Sequence, residues 1–248
     1  MTLKRSVRLK ENQNMTNRTS KGSAFERWFS EQLSLWWTKG LRLEPRTDIF
    51  WRTSGSGGRA STRAKKKQRT SGQYGDVAAI DPIGQPLLSV MTIELKRGYN
   101  RKTIADLLDK PAGAAKQEYE EWIEKAEDSH KKAGSIGWAI VAKRDRREAI
   151  VLLPYSLAFD LNVELVGFNQ RSHFHSKIIL RFRSDYLFAM TLKDFFDFIP
   201  PDRFCRLAEQ IHPIKSLPAI MDEKDIDYGS SLQTRNPGKT QETLPIGH

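Results

Sequence analysis

The stretch from Gly75 to Lys96, GDVAAIDPIGQPLLSVMTIELK, constrains the fold of this chain more than any other. It predicts two adjacent strands joined around Asp81-Pro82-Ile83-Gly84, because Pro and Gly interrupt regular structure. Asp76 opens the first strand, and Glu94 and Lys96 lie near the end of the second. Successive side chains of a strand point to opposite faces. Glu94 and Lys96 therefore project together, on the face of Val90 and Thr92, while Met91, Ile93 and Leu95 turn toward a core. Pairing of the two strands brings Asp76 level with Glu94. Two carboxylates and an ammonium then meet at one sheet edge, which suits a hard divalent cation and a water nucleophile attacking a phosphodiester. The plainer alternative is a strand that starts after Gly75 and a solvated same-face pair at Glu94 and Lys96.

The charge balance points to a polyanionic partner. The chain has 248 residues and a formal net charge of +11, with a pI of about 9.7, and such an excess fits nucleic acid. From Arg59 to Gly72 there are six basic residues (Arg59, Arg63, Lys65, Lys66, Lys67 and Arg69) and no acidic ones. That run is expected to be a mobile loop that grips phosphates without reading sequence. The loop before it, TSGSGG from Thr53 to Gly58, carries Ser54 and Ser56, hydroxyl donors in a glycine-rich setting where backbone N–H groups can approach an anion. Lys21 and Arg52 are weaker candidates of the same kind. Hydrophobic residues make up 38% of the chain, enough for one real core with polar segments around it. A single cysteine, Cys205, excludes an intrachain disulfide and a cysteine-based zinc site. The basic N-terminus lacks an apolar signal core, and no apolar run approaches membrane-spanning length. The expected compartment is the cytoplasm or the nucleoid space.

Along the chain, residues 1–20 predict an unstructured basic arm. Residues 20–38 predict a helix, with Phe25, Trp28, Phe29, Leu33 and Trp36 on one stripe and Gly40 at its stop. Asp48 to Arg52 reads as a short strand. After the central pair, Thr103 to Asp109 predicts one or two helical turns. A helix from Pro111 to Gly134 follows, with Ala115, Tyr119, Trp122, Ile123 and Ala126 inward and Glu121 with Lys125 paired on the wet side. Ile136–Ala142 and Ala149–Leu153 predict a hairpin around the charged turn KRDRRE. Beyond Pro154, residues 155–221 read as an α/β extension. Its strands are expected at 178–182 and 187–190, with a helix capped by Thr191 and another over 204–211. Residues 222–248 read as a disordered tail. Pattern alone gives an α/β protein with a mixed sheet.

The motif GD, seventeen residues, then ELK resembles the signature of the PD-(D/E)xK nuclease superfamily. Upstream, KGSAFERWF and RTSGSGGRAS resemble the opening helix and Ser/Gly loop of archaeal-type Holliday-junction resolvases. The resemblance covers about Lys21 to Pro154. It departs from the pattern in having Gly75 where the superfamily name expects Pro, and in its long basic insert before Asp76. It implies a restriction-endonuclease-like αβββαβ core with a mixed central sheet flanked by helices. It also implies Mg²⁺, replaceable by Mn²⁺, held by Asp76, Glu94 and the Leu95 carbonyl, with Lys96 positioning water and stabilising charge on phosphorus. Glu26 would sit near the metal; alternatively, Ser23-Ala-Phe-Glu26 is a capping box. The implied activity is a structure-directed DNA endonuclease acting as a homodimer on branched or double-stranded DNA. A restriction or phage-genome nuclease with the same core, and a non-catalytic basic DNA-binding protein on that scaffold, stay open. His173 and His175 share a strand face but have no evident third ligand for zinc. Asp81 reads as a turn former, and Trp28, Trp36, Trp122 and Trp138 read as core.

Overall fold

The computed structural model describes residues 2–53, 74–111, 113–163 and 177–211, with backbone alone over 2–20 and at 211. These residues lie within one compact unit, Met1–Pro213. The stretches holding Ser54, Ser56, Arg59, Arg63, Lys65, Lys66, Lys67 and Arg69, His173 and His175, and the 222–248 tail are outside the described residues.

Helix α1 spans Thr2–Gly40. The expected unstructured arm is helical in its backbone, because residues 2–20 contain neither Gly nor Pro to stop a helix propagating back from its packed half. Ser23 and Glu26 are thus interior residues, which removes the capping-box reading. The buried stripe of α1 is Phe25, Phe29, Leu33 and Trp37, a strict four-residue repeat, while Trp28 is 41% exposed. The expectation that Trp28 belongs to the core is therefore corrected: choosing 28 and 36 over 37 rotates the stripe by about one residue, roughly 100° on a helix. Trp36 is half-buried and its indole N–H donates to the Phe196 carbonyl at 3.0 Å. Beside the apolar stripe runs a buried hydroxyl seam of Ser30, Ser34 and Thr38, each bonded back to the carbonyl four residues earlier. Ser34 Oγ also accepts from the Phe50 N–H at 3.0 Å, and so fixes the start of β1 on the helix.

β1 (Phe50–Arg52) pairs antiparallel with β2 (Val77–Ala79). A 3₁₀ turn (Pro82–Gly84) and the short helix α2 (Gln85–Val90) follow, and then β3 (Met91–Arg97). The expected two-strand hairpin is thus corrected: β2 is three residues long, and the apolar run before β3 is helical as far as Val90. A second 3₁₀ turn (Ile104–Leu107) is closed by a capping box from Thr103. Helix α3 (Glu118–Ala133) begins later than expected and ends at Gly134 in the left-handed conformation. β4 (Gly137–Lys143) and β5 (Ala149–Pro154) form the anticipated hairpin. Then come α4 (Tyr155–Asp160), β6 (Lys177–Phe182), β7 (Asp185–Thr191), α5 (Leu192–Phe198) capped by Thr191, and α6 (Pro201–Ile211).

The five-stranded sheet has the order β3-β4-β5-β7-β6, with β3 and β4 parallel and the other pairs antiparallel. The expected mixed central sheet is present, and the α1-β1-β2-β3-α3-β4 order matches the αβββαβ core. Alternation splits the core into two layers. Met91, Ile93, Leu95, Ala139, Val141, Val151 and Phe188 pack in the same cluster as the α1, α5 and α6 side chains. On the other face Trp138, Ile140, Ala142 and Leu152 meet Tyr119, Trp122, Ile123 and Ala126 of α3. Both faces of β3 are covered, so Glu94 lies under α3 rather than in water.

Ser34→Ala should cost about 1–3 kcal/mol, since it strands the buried Phe50 N–H. Denaturant unfolding checks this, and a change within about 0.5 kcal/mol, the range of an ordinary surface substitution, would mean that the seam does not hold β1.

Candidate active site

β3 forms one edge of the five-stranded sheet, and the Gly75–Asp76 segment fills its free side. The Asp76 N–H donates to the Ile93 carbonyl at 2.8 Å. The Leu95 N–H donates to Asp76 Oδ2 at 2.8 Å. From the other side Thr53, directly after β1, donates its N–H to the Asp76 carbonyl at 3.1 Å and its hydroxyl to the Gly75 carbonyl at 2.9 Å. Gly75 has φ +77°, and a Cβ there would meet the Ile93 carbonyl oxygen at 2.7 Å. Glycine stands where the superfamily name has proline because this backbone needs the left-handed region and no side chain. Asp76 does come level with Glu94, through this edge clamp rather than through a hairpin.

Glu94 is 1% exposed and Asp76 5%. Lys96 Nζ donates to Glu94 Oε2 at 2.9 Å and Lys125 Nζ donates to the same oxygen at 2.7 Å. Ser129 Oγ donates to Glu94 Oε1 at 3.2 Å. Lys125 and Ser129 sit one turn apart on α3, over the face of β3 that carries Glu94. Lys125 is the residue the sequence reading missed by pairing it with Glu121 on the wet side. The available signal was its position three residues after Trp122 and four before Ser129, on the inward flank of α3.

These contacts set the protonation states. Burial pushes Asp76 up to about 6, the Glu94 charge adds to this, and Lys96, the Leu95 N–H and Lys125 partly offset it. Glu94 is also raised by burial, yet the Lys96 and Lys125 ammonium groups bring it below its ordinary value. Burial lowers Lys125, and its attraction to Glu94 outweighs that and raises it. At neutral pH the site holds two carboxylates against two ammonium groups, with Lys96 mostly enclosed and Lys125 about half open, side-chain exposures of 12% and 48%.

The other candidates are placed as follows. Glu26 lies 3.5 Å from Arg52. Among the described residues no third His, Cys, Asp or Glu joins Asp76 and Glu94 in a cluster able to hold a metal. Lys21 lies 3.5 Å from Asp145 in the β4–β5 turn. Asp81 caps the 3₁₀ turn through the Ile83 N–H and pairs with Arg46, so its role is structural. Asp48 also pairs with Arg46.

A family model described as "Phage putative PDDEXK endonuclease" matches residues 17–204. The chain belongs to this family. No curated protein and no solved structure matches it. Membership in this phage endonuclease family makes the protein a PD-(D/E)xK nuclease by family, with nucleic acid as its substrate class. Among the described residues no helix is long and apolar enough to cross a membrane.

Asp76 gives a pH signature in the metal-free protein. Its folded pKa is raised above the ordinary 3.8 to about 6. Keeping it ionised therefore costs stability above pH 6, and this cost vanishes as pH falls toward 4. Asp76→Asn retains an acceptor for the Leu95 N–H and removes the titration. In EDTA its stability relative to the parent should improve from pH 4.5 to pH 7, by on the order of 2 kcal/mol. A difference independent of pH would mean that Asp76 is not held in this raised state.

Proposed function

We propose that this endonuclease is a divalent-metal-dependent endodeoxyribonuclease whose cleavage site is the Asp76–Glu94 pair. The observation that carries the reading is two buried carboxylates converging at the edge of β3, with two lysines on one of them. The donors fit a hard cation. Both side chains offer oxygen, and burial, with the Glu94 charge beside it, raises Asp76. In an extended strand the N–H and C=O of one residue address the same side. The Leu95 carbonyl therefore lies on the edge where its N–H meets Asp76. Asp76, Glu94 and that carbonyl would hold Mg²⁺ or Mn²⁺. The ion, when bound, supplies a Lewis acid that polarises the phosphodiester and lowers the pKa of the attacking water.

The chain's own residues do the rest. Lys96, mostly enclosed, orients the water and faces the negative charge that grows on phosphorus. Lys125, half open to solvent, meets the phosphate as it arrives. Glu26 acts through Arg52, which directly precedes Thr53 and thus adjoins the clamp on Asp76. Ser54, Ser56 and the basic residues from Arg59 to Arg69 belong to this reading as backbone-phosphate contacts.

Structure-directed cleavage by a two-fold dimer, as in Holliday-junction resolvases, is the finer form of the proposal, supported by the resemblance of the opening helix and the Ser/Gly loop. A second form is a restriction or phage-genome nuclease with the same core, in keeping with the phage family match. One gel separates them: linear duplex, single strand, flap and four-way junction, each with Mg²⁺, Mn²⁺ or EDTA. Cleavage is expected with either ion and none in EDTA. Lys96→Met should lower the single-turnover rate by about 10²–10³-fold, the loss typical of one transition-state donor, and leave Mg²⁺ binding intact or tighter. Cleavage in EDTA, or parental rates for Lys96→Met, would contradict the mechanism.

A further inference from the structure

The β4–β5 turn and the segment after β3 form one basic ridge beside the cleavage site. β3 and β4 run parallel, with Lys96 opposite Ala142 and Arg97 opposite Lys143. Both strands therefore run three residues past the level of Glu94, and each continues into a basic segment. After β3 come Arg101 and Lys102; after β4 come Arg144, Arg146 and Arg147.

Asp145 ties the two segments together. Its carboxylate takes Arg97 Nη2 at 2.6 Å and Asn100 Nδ2 at 2.9 Å, with Lys21 at 3.5 Å. Its own N–H donates to Asn100 Oδ1 at 2.7 Å, and the Gly98 N–H reaches the Lys143 carbonyl at 3.3 Å. The Asn100 hydrogen bond, with Arg97 and Lys21 beside it, holds Asp145 below the ordinary carboxylate range. Asp145, with its side chain 34% exposed, is thus already occupied by Arg97, Asn100 and Lys21.

Among the described residues the outer cations have no such partner. Arg101, Arg146 and Arg147 are exposed, and Lys102 and Arg144 half-buried. Among the described residues no carboxylate forms an ion pair with any of the five. Arg146 sits at φ +57°, a conformation uncommon for a side chain of its length. Glu148, also exposed, is the one acid at the turn besides Asp145. Clustered cations held on a rigid frame, with no ion-pair partner among the described residues, suit a partner carrying regularly spaced negative charge.

We infer that this ridge is a nucleic-acid contact surface that holds the phosphate backbone of duplex DNA next to the cleavage site. The inference rests on the nuclease reading of the Asp76–Glu94 site and adds the surface that seats the substrate. The distance suits it. At about 3.3 Å per residue, the turn lies roughly 10 Å beyond the level of Lys96. A duplex carries one negative charge per about 1.7 Å of its axis, so several phosphates lie over that span. The contact is to backbone phosphate, so it contributes affinity and register rather than sequence choice.

The test is binding of the full chain to a fluorescein-labelled linear DNA duplex in EDTA, by anisotropy across a salt series. The variant is Arg144→Gln/Arg146→Asn/Arg147→Gln, which neutralises the charges, leaves Asp145 in place and puts at 146 a residue tolerant of positive φ. Its slope of log affinity against log salt should fall by about 2–3, near 0.9 per lost phosphate contact. Affinity at physiological salt should fall by about tenfold or more. A second variant, Arg146→Lys/Arg147→Lys, keeps the charge and should keep the parental slope, which separates charge from fold. A parental slope and affinity in the triple variant would overturn the ridge, even if the parent cuts DNA. A ridge-dependent slope in a parent that cuts nothing with any metal would leave the ridge standing and remove the nuclease reading instead.

Discussion

The hydrogen bond from the Leu95 N–H to the Asp76 carboxylate is the interaction on which the rest of the site depends. It places one acid of the signature against the strand that carries the other acid and the lysine. It works because the Asp76 N–H is also pinned to the Ile93 carbonyl and Thr53 holds the Gly75 and Asp76 carbonyls. Four hydrogen bonds thus fix a single dipeptide between β1 and β3. Backbone placement of this kind is stiffer than placement by side-chain rotamer, and two carboxylates that repel each other need that stiffness.

The surrounding fold supplies what the clamp requires. The hydroxyl seam of α1 seats β1, which leads directly into Thr53; the parallel β3–β4 pair demands a crossover, and α3 is that crossover. Its placement over the Glu94 face of β3 buries the glutamate and delivers Lys125 and Ser129 to it. Leaving Glu94 in an apolar interior without partners would be costly, and two ammonium groups and a hydroxyl offset that cost. The same lysines that make the metal-free site tolerable are the groups proposed to meet a phosphate.

Much of this was legible in the sequence, for stated reasons. Alternation in MTIELK placed Glu94 and Lys96 together and Ile93 and Leu95 in the core. Gly134 ended α3, Thr191 capped α5, and the KRDRRE turn closed the β4–β5 hairpin. The failures are equally physical. QPLLSV looked like a strand start because a short apolar run does not declare its period; Pro86 near the helix start, with Leu87 and Val90 both buried on one side, makes it α2 instead. Trp28 was assigned to the core because aromatic character outweighed a one-residue rotation of the stripe. Lys125 was assigned to solvent because an i,i+4 partner was in reach. Its true partner lies 31 residues away on β3, a tertiary contact that helix spacing does not encode.

The clamp is tested most directly at Gly75. Gly75→Ala leaves every proposed catalytic group in place and adds one methyl where the Ile93 carbonyl oxygen would stand 2.7 Å away, at a φ of +77°. The measurement is single-turnover DNA cleavage with Mg²⁺, beside Mg²⁺ calorimetry and circular dichroism of the same variant. The account predicts a folded protein with weakened Mg²⁺ binding and cleavage reduced by about 10²-fold or more, the loss expected when a reacting group is misplaced by an ångström. A Gly75→Ala variant that binds Mg²⁺ and cuts DNA as the parent does would contradict it.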